Sequence, residues 1–255
     1  MAYGHAWATI LNFSQYNSCD MKTSLYKTIA LALVTTFFTA CDQETEAEVR
    51  PMTATASKNF GIVPGTTVIN FSETTGAVTE VKVKKDSYTE LPVKISGITY
   101  SNGKPVAGNS ALIYDTNNPD KRNSGYKAVN QGPFRLGNVL TVGQAQGRST
   151  TINDKGGSVE LDFSSFGTVV MRGLYIVDID ENERGSTLEL LDAAGNVIYK
   201  QNLPVTGAYA YQPLVLPGAG VANVAKLRVT FVSANGKGGS GAIDVIQFCP
   251  GGVCR

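Results

Sequence analysis

The sequence has one histidine and one tryptophan, and both lie within the first 20 residues, at His5 and Trp7. Without a histidine in the rest of the chain, a Ser-His-Asp triad, a Cys-His pair and a histidine-ligated zinc or iron site are excluded there. Carboxylate pairs like those of glycosidases, and calcium sites built from oxygen ligands, stay open. The composition therefore disfavours catalysis without excluding it.

The sequence also lacks an excess of charge of one sign. Lys and Arg number 22, against 21 Asp and Glu. Removing the first 40 residues takes away Asp20, Lys22 and Lys27, which leaves no formal net charge. Proteins that bind nucleic acid need a basic surface to attract phosphates. We therefore expect no nucleic-acid partner.

An apolar run near the N-terminus, Thr28–Ala40, is too short to span a bilayer, which takes about 20 residues. Its length fits the apolar region of a secretory signal peptide, preceded here by lysines. Met21 is a natural start for such a signal. We interpret residues 1–20 as an over-extended translation start and residues 21–40 as the signal peptide.

The end of this run resembles the lipobox of bacterial lipoproteins, Leu-(Ala/Ser)-(Gly/Ala)-Cys. Phe38, Thr39 and Ala40 precede Cys41, with Phe38 in place of the usual Leu. The resemblance implies that Cys41 carries diacylglycerol on its thiol and another acyl chain on its freed amine. Several acyl chains together anchor a protein stably in a membrane. The alternatives are a secreted protein whose Cys41 pairs elsewhere and an uncleaved membrane-associated segment.

Residues 41–65 are predicted to form a flexible, lipidated tether. They are acidic at first, then rich in Thr, Ala and Ser, with no apolar period, so they cannot bury enough surface to fold. The acidic run resembles surface-export signals of some bacterial lipoproteins. In other bacteria an Asp directly after the cysteine, here Asp42, marks retention at the inner membrane. We expect a bacterial cell-envelope location outside the cytoplasm, favouring the outer membrane or cell surface, with the leaflet open.

Two cysteines follow the tether, Cys249 and Cys254, in the stretch FCPGGVCR. Oxidising compartments favour disulfides, and the Pro-Gly-Gly sequence can turn tightly enough to close the loop. A metal-binding pair and two free thiols are the alternatives, although two thiols without a histidine cannot complete a zinc shell. The sequence therefore predicts a disulfide that ties off this end of the domain.

From Thr66 onward the sequence is a series of short strand-like segments. About a dozen of them are rich in β-branched residues and separated by Gly, Asn, Asp and Pro. LDAAGNVIY indicates a β-hairpin, with Gly195 suited to a positive φ. No window has a convincing helical period. Residues 66–255 are therefore predicted to form one all-β domain, an antiparallel β-sandwich of jelly-roll type.

The order of the segments resembles that of galactose-binding-like jelly rolls, a group that includes many carbohydrate-binding modules. The resemblance covers roughly residues 66–249 and is carried by TVINFSE, GITYS, ALIYDTNNP, GNVL, GGSVELDFS, LYIVDID, GSTLELLDAAGNVI and GAIDVIQFC. It implies a structural calcium ion held by a carboxylate of the last strand and an acidic residue near the first. Asp244 and Glu73 occupy those positions. The alternative is that Asp244 faces solvent.

A polar loop after the segment ALIYDT is the candidate ligand site. Aromatic faces stack on sugar rings, while Asp and Asn side chains hydrogen-bond to hydroxyl groups. The candidate residues are Asp115, Asn117, Asn118, Asp120, Arg122 and Tyr126, with Lys121 beside them. The alternative is an ordinary surface loop, since Asx residues also form turns with their own backbone.

A third acidic group lies in VDIDENERG and contains Asp178, Asp180, Glu181 and Glu183. The first two are expected on one strand face, because side chains alternate along a strand. Two such carboxylates repel unless a cation lies between them, and Arg184 or calcium could serve. A solvated strand end is the favoured interpretation, and no catalytic residue is assigned.

The leading hypothesis is a lipid-anchored, non-catalytic binding module of the cell envelope that recognises a polysaccharide. The second is a structural or adhesion lipoprotein that contacts another envelope protein through an edge strand or an exposed face. The third is a small glycan-active hydrolase that uses acids of the polar loop and of the stretch VDIDENERG, such as Asp115 and Asp178. The step to glycans depends on the resemblance and on loop chemistry.

Overall fold

A computed structural model describes residues 65–72, 75–101, 104–106, 108, 110–130, 135–146, 149–234, 239–252 and 254. Every described residue belongs to one compact unit of the chain, Val49–Arg255. The predicted signal peptide, Cys41 and nearly all of the predicted tether lie outside the described residues, as does Glu73. No helix of the described ranges is long and apolar enough to cross a membrane.

The described residues form sixteen strands. In chain order they are β1 (Thr67–Ile69), β2 (Gly76–Ala77), β3 (Glu80–Lys84), β4 (Glu90–Ser101), β5 (Lys104–Pro105), β6 (Ala111–Asp115), β7 (Asn138–Gln146), β8 (Ser149–Ile152), β9 (Gly157–Asp162), β10 (Val169–Val177), β11 (Thr187–Leu191), β12 (Val197–Asn202), β13 (Tyr211–Val215), β14 (Val221–Val224), β15 (Lys226–Phe231) and β16 (Ala242–Pro250). Three short 3-10 helices complete the list: η1 (Ser124–Asn130), η2 (Ser164–Phe166) and η3 (Glu181–Glu183).

The strands form two antiparallel sheets that pack as a β-sandwich, which confirms the predicted fold class. The first sheet has the order β13-β10-β16-β7-β6-β2, with β1 on β16, β14 on β10 and β8 on β7. The second has the order β12-β11-β15-β9-β4-β3, with β5 on β4. Strand β9 lies in the second sheet and the next strand, β10, in the first. Strand β15 pairs with β9 in the second sheet, and the next strand, β16, pairs with β10 in the first. Two-stranded ribbons therefore wrap across both sheets, as in a jelly roll.

Alternation along the strands creates the core between the sheets. In β15, Leu227, Val229 and Phe231 are buried, while Lys226 and Arg228 face outward. Both cations contact Glu160 of β9, at 3.0 Å and 2.7 Å, on the outer face of the second sheet. These ion pairs are partly exposed and each adds little stability. The period of two seen in the sequence is therefore what divides the core from the surface.

The hairpin signal corresponds to the turn between β11 and β12. Gly195 has a φ of +86°, and Asp192 accepts hydrogen bonds from the backbone and side-chain nitrogens of Asn196 at 2.8 and 3.0 Å. Each of the segments that the sequence marked as strand-like contains a strand. The four strands that it missed, β2, β5, β8 and β14, have at most four residues, too few for a visible pattern.

Candidate functional site

The predicted ligand loop begins with an Asx turn. Asp115 accepts hydrogen bonds from the backbone nitrogen of Asn117 and the side-chain nitrogen of Asn118, both at 2.8 Å. Burial opposes ionisation of Asp115, but these hydrogen bonds outweigh it and lower its pKa. Asn117 and Asn118 are exposed. This part of the loop is held by local bonds and presents amide groups to solvent.

Asp120 fastens the middle of the loop to the sheet. It accepts hydrogen bonds from Thr151 Oγ1 of β8 and from the backbone nitrogen of Arg122, both at 2.9 Å, and its own backbone nitrogen donates to Tyr114 Oη. Burial opposes its ionisation, but hydrogen bonds from Asn123 and Thr151 lower its pKa. Asp120 therefore holds the loop in place, whereas Arg122 is exposed beside it.

Tyr126 does not present an aromatic face to solvent, and the prediction that it contacts a ligand directly is corrected. The side chain is 0 % exposed, and its hydroxyl donates to the carbonyl oxygen of Ser240 at 2.7 Å. Its ring meets those of Tyr114 and Tyr209 edge to face, with centroids 5.6 and 5.5 Å apart. Helix η1 places the ring in a small apolar cluster that the sequence pattern did not reveal.

Asp178 lies directly after β10, with a φ of +58°. This left-handed conformation takes it out of the strand, so the expectation that it shares a strand face with Asp180 is wrong. Asp178 is 4 % exposed and accepts hydrogen bonds from the backbone nitrogen of Tyr209 at 2.6 Å and from Ser240 Oγ at 2.8 Å. Burial raises its pKa, and these donors oppose the rise.

Glu183 is the second buried carboxylate of this region. It is 0 % exposed, and its two oxygens accept from the backbone nitrogens of Gly241 at 2.8 Å and Asp180 at 3.0 Å. Burial raises its pKa to about 8, with these amides opposing. Arg184 pairs with exposed Glu181 at 2.6 Å and does not lie between the acids. The solvated interpretation therefore holds for Glu181 and is wrong for Asp178 and Glu183.

These residues join four loops at one site, which we call the four-loop cluster. Its members are Tyr126 of the β6–β7 loop, Asp178 and Glu183 of the β10–β11 loop, Tyr209 of the β12–β13 loop, and Ser240 and Gly241 of the β15–β16 loop. The sequence predicted part of it as two separate groups. Tyr209 and Ser240 were missed.

Tyr209 is the partly exposed ring of the cluster. It has a φ of +53°, and its ring lies so close to Gly125 that a Cβ on that glycine would come within 2.1 Å of the ring. Two non-glycine residues with positive φ, Tyr209 and Asp178, thus hydrogen-bond to each other. Such strained residues concentrate where a fold holds a ligand-binding geometry. The sequence signal at this place was limited to the stretch GAYAY, which leads into β13.

Asp244, predicted to bind calcium, is buried in β16 with 1 % exposure, so the solvent-facing alternative is wrong. Neither carboxylate oxygen makes a hydrogen bond of good geometry, although the backbone amides of Val245 and Phe71 lie nearby. Burial raises the pKa of Asp244 to about 8, with the backbone amides of Val245 and Phe71 opposing. Val245 has a φ of +48° and interrupts the pairing of β16 with β10. A bulge therefore places the carboxylate where β16 exchanges its neighbour β7 for β1.

The surroundings of Asp244 fit a cation. Gln247, 0 % exposed on the same strand, also has a side-chain oxygen and nitrogen without partners, and Gly173 opposite it has no side chain. Buried polar groups without partners are costly. No group of three acidic, His or Cys side chains exists in the described ranges. Calcium also accepts amide oxygens, so Asp244 and Gln247 are the two described side chains that could serve as oxygen ligands here.

Cys249 and Cys254 form a disulfide, with their Cα atoms 5.1 Å apart. Cys249 is fully buried next to the apolar residue Phe248 at the end of β16. The bond closes a tight loop that begins at Pro250, the last residue of β16.

No protein-family profile and no curated protein matches this chain. Among solved structures it is similar to TmCBM61 in complex with β-1,4-galactotriose, at 14 % identity and a TM-score of 0.33 over 62 % of this chain and 88 % of that one. It is also similar to the K2 cleaved adhesin domain of Lys-gingipain, at 13 % identity and a TM-score of 0.34 over 68 % and 98 %. The Streptococcus pneumoniae fucose-binding module SpX-3 matches at 17 % identity and a TM-score of 0.29 over 37 % and 68 %. Similarity this low carries no argument about function.

Proposed function

We propose that this chain is a lipid-anchored, non-catalytic binding module of the bacterial cell envelope, and that its four-loop cluster binds a glycan. The observation that supports this most directly is Tyr209. The residue is partly exposed, its ring packs against Gly125 and Tyr126, and its backbone nitrogen donates a hydrogen bond to Asp178 that holds the main chain in place. A rigid aromatic face is the surface on which a sugar ring stacks, and a fixed side chain loses little entropy on binding.

Hydroxyl-binding groups belong to the same framework. The rings of Tyr114, Tyr126 and Tyr209 form a continuous row, and Tyr114 is hydrogen-bonded to Asp120 of the ligand loop. The row couples the position of that loop to the position of Tyr209. Exposed Asn117 and Asn118 offer amide donors and acceptors that suit sugar hydroxyls.

The carboxylates of this region support binding better than hydrolysis. A glycosidase needs two carboxyl groups that flank the same scissile bond. Asp178 and Glu183 are 4 % and 0 % exposed, and their oxygens accept hydrogen bonds from loop residues. Asp115 is likewise engaged in its Asx turn. We therefore propose that these acids stabilise the loops through their hydrogen bonds.

Replacing Tyr209 by Ala should weaken glycan binding roughly tenfold, since an aromatic contact worth about 1.4 kcal/mol corresponds to that factor. Affinity electrophoresis of the whole chain through gels containing soluble polysaccharides measures the loss. Tyr209→Phe should retain binding. Tyr88→Ala is the matched control, because Tyr88 is 99 % exposed in the β3–β4 turn. Equal mobility of the Tyr209→Ala variant and the parent, or no retardation of the parent by any polysaccharide, would contradict the proposal.

A second candidate function is an adhesion lipoprotein with a protein partner. It is favoured by aliphatic side chains on the edge strands β12 and β13. Val197, Ile198 and Val215 are 48 %, 40 % and 62 % exposed. Exposed edge strands pair readily with other chains. Recovery of one abundant envelope protein in a pull-down, without retention of any glycan, would favour this function.

The proposed anchor depends on Cys41, so Cys41→Ser should abolish lipid labelling and release soluble or unprocessed protein. The measurement is metabolic labelling with a fatty acid, followed by separation of membranes. Cys249→Ser serves as a control. The sulfur of Cys249 is in a disulfide, so this variant should keep its lipid label. A Cys41→Ser variant that still carries label in the membrane fraction would refute lipidation.

A further inference from the structure

The outer face of the first sheet carries an apolar cluster of its own, separate from the core between the sheets. Leu214 of β13 points into the core, and side chains alternate along a strand, so Tyr211 lies on the outer face. Tyr175 of β10 lies on the same face, and the centroids of the two rings are 5.7 Å apart. Tyr209 of the four-loop cluster packs against the same apolar cluster. The aromatic surface therefore continues from the loops onto the sheet.

Strand β13 extends this surface along the edge of the first sheet. Its outward-facing residues, which we call the β13 strip, are Tyr211, Pro213 and Val215. Alternate residues of a strand lie about 6–7 Å apart, so the strip is roughly 13 Å long, more than one sugar ring covers. Tyr211 and Pro213 are partly exposed, and Val215 is 62 % exposed.

The β13 strip and the part of β10 beside it are uncharged. The three residues of the strip pair with Val177, Tyr175 and Gly173 of β10. None of these six side chains carries a formal charge at pH 7. The strip thus offers no opposite charge to an ionic partner, whereas ring faces and aliphatic groups suit the CH-rich faces of neutral sugars.

Pro213 makes the same strand a poor template for a protein partner. Among the described strands β13 pairs only with β10, so its other edge is open. A proline in an edge strand removes a backbone donor that an added strand would need, which is one way in which proteins protect such edges. The chemistry of β13 therefore favours contact with its outer face over strand addition at its edge.

We propose that the glycan site extends from Tyr209 along the β13 strip, so that it binds a stretch of an uncharged polysaccharide chain rather than a single terminal sugar. This inference rests on the proposed function and adds the class of ligand. Tyr209 contacts one sugar at the loops, and Tyr211 and Pro213 contact sugars further along the chain. A longer chain makes more contacts but loses its translational and rotational freedom only once, so affinity should rise with chain length.

Binding of oligosaccharides of different length by the full chain tests this proposal. The probes are the neutral polysaccharides xylan, galactomannan and β-glucan, and the disaccharide and hexasaccharide of whichever retards the chain most. By titration calorimetry the hexasaccharide should bind at least about tenfold more tightly than the disaccharide. Tyr211→Ala should remove this gain and change disaccharide affinity by less than about twofold. Tyr199→Ala is the matched control, because Tyr199 is also partly buried on an edge strand, β12 of the second sheet.

A gain-of-affinity variant keeps the test decisive if Tyr211→Ala does not fold. Val215→Trp adds an aromatic face to the exposed end of the strip and should strengthen hexasaccharide binding about threefold or more, without affecting the disaccharide. Val197→Trp on β12 is its control, since Val197 is 48 % exposed on the other sheet.

The possible results separate this inference from the function on which it rests. Equal affinities for disaccharide and hexasaccharide, with Tyr209 still required, would overturn the extended site and leave the proposed function standing. Tighter binding of acidic polygalacturonate than of every neutral polysaccharide, or an envelope protein held on β13 that the hexasaccharide does not displace, would also overturn the extended site. No binding of any polysaccharide would overturn both.

Discussion

Chelation of calcium is expected to lower the melting temperature of the domain by about 10 °C, and added calcium is expected to restore it. A ligand that binds only the folded state at about 1,000 times its Kd stabilises by about 4 kcal/mol. In a domain of this size each kcal/mol corresponds to roughly 2–4 °C. The proposed ligand is Asp244, whose two oxygens are buried and make no hydrogen bond of good geometry. Scanning calorimetry with EDTA and with calcium measures the shift.

Asp244→Asn should reproduce most of that loss and remove the response to calcium. The amide keeps the shape of the side chain, but it withdraws the negative charge and one oxygen from the cation. Glu181→Gln provides the control, because Glu181 is an exposed acid paired with Arg184. A variant at position 244 that melts like the parent and responds equally to calcium would exclude the ion from this site.

The stability of the calcium-loaded domain should fall as the pH rises from 6 to 8. Burial raises the pKa of Glu183 from 4.5 to about 8, so the folded state holds a proton that the unfolded state has released. Such a contribution is complete below pH 4.5, declines with rising pH and is lost above about 8. The slope is about 1.4 kcal/mol per pH unit, or about 8 °C in melting temperature over the two units. Asp178, whose pKa is also raised by burial, acts in the same direction.

Glu183→Gln should flatten this pH dependence, since the amide does not titrate. The variant should also be less stable at pH 6. Both side-chain oxygens of Glu183 accept a hydrogen bond from a backbone N–H, and the NH2 group of Gln would face one of these donors without being able to accept. The readout is therefore the change of stability with pH, and the stability at a single pH is not. Saturating calcium keeps Asp244 ionised throughout, which separates the two sites. A Glu183→Gln variant with the slope of the parent would show that another group titrates.

Twelve of the sixteen described strands could be predicted because each carries its own pattern of residues. Leu227, Val229 and Phe231 alternate with polar residues, and the hairpin glycine at position 195 follows from turn chemistry alone. Burial of Asp244 was one of two open interpretations, since apolar neighbours flank it on both sides. The bulge at Val245 could not be predicted from the sequence. It lies where β16 stops pairing with β7 and begins to pair with β1.

The candidate site was only partly predictable because it is made by contacts between distant loops. Tyr126 and Ser240 are 114 positions apart, and Asp178 and Ser240 are 62 apart. Nothing local marks Tyr126 as buried, since its loop is polar on both sides. The left-handed backbone of Asp178 and Tyr209 is accompanied by a hydrogen bond from the Tyr209 backbone nitrogen to the Asp178 carboxylate, a contact between distant loops. Short-range patterns therefore identified the acids and missed the geometry that joins them.

The position of β16 imposes an order on folding. It is the last of the described strands along the sequence, yet it lies inside the first sheet, with β10 on one side and β7 and β1 on the other. A polypeptide that emerges from the ribosome with its N-terminus first cannot close this sheet until β16 has emerged. Until then β10 and β7 remain open edges for chaperones to hold. Premature termination inside β16 would therefore leave an unclosed, aggregation-prone sheet rather than a slightly shortened domain.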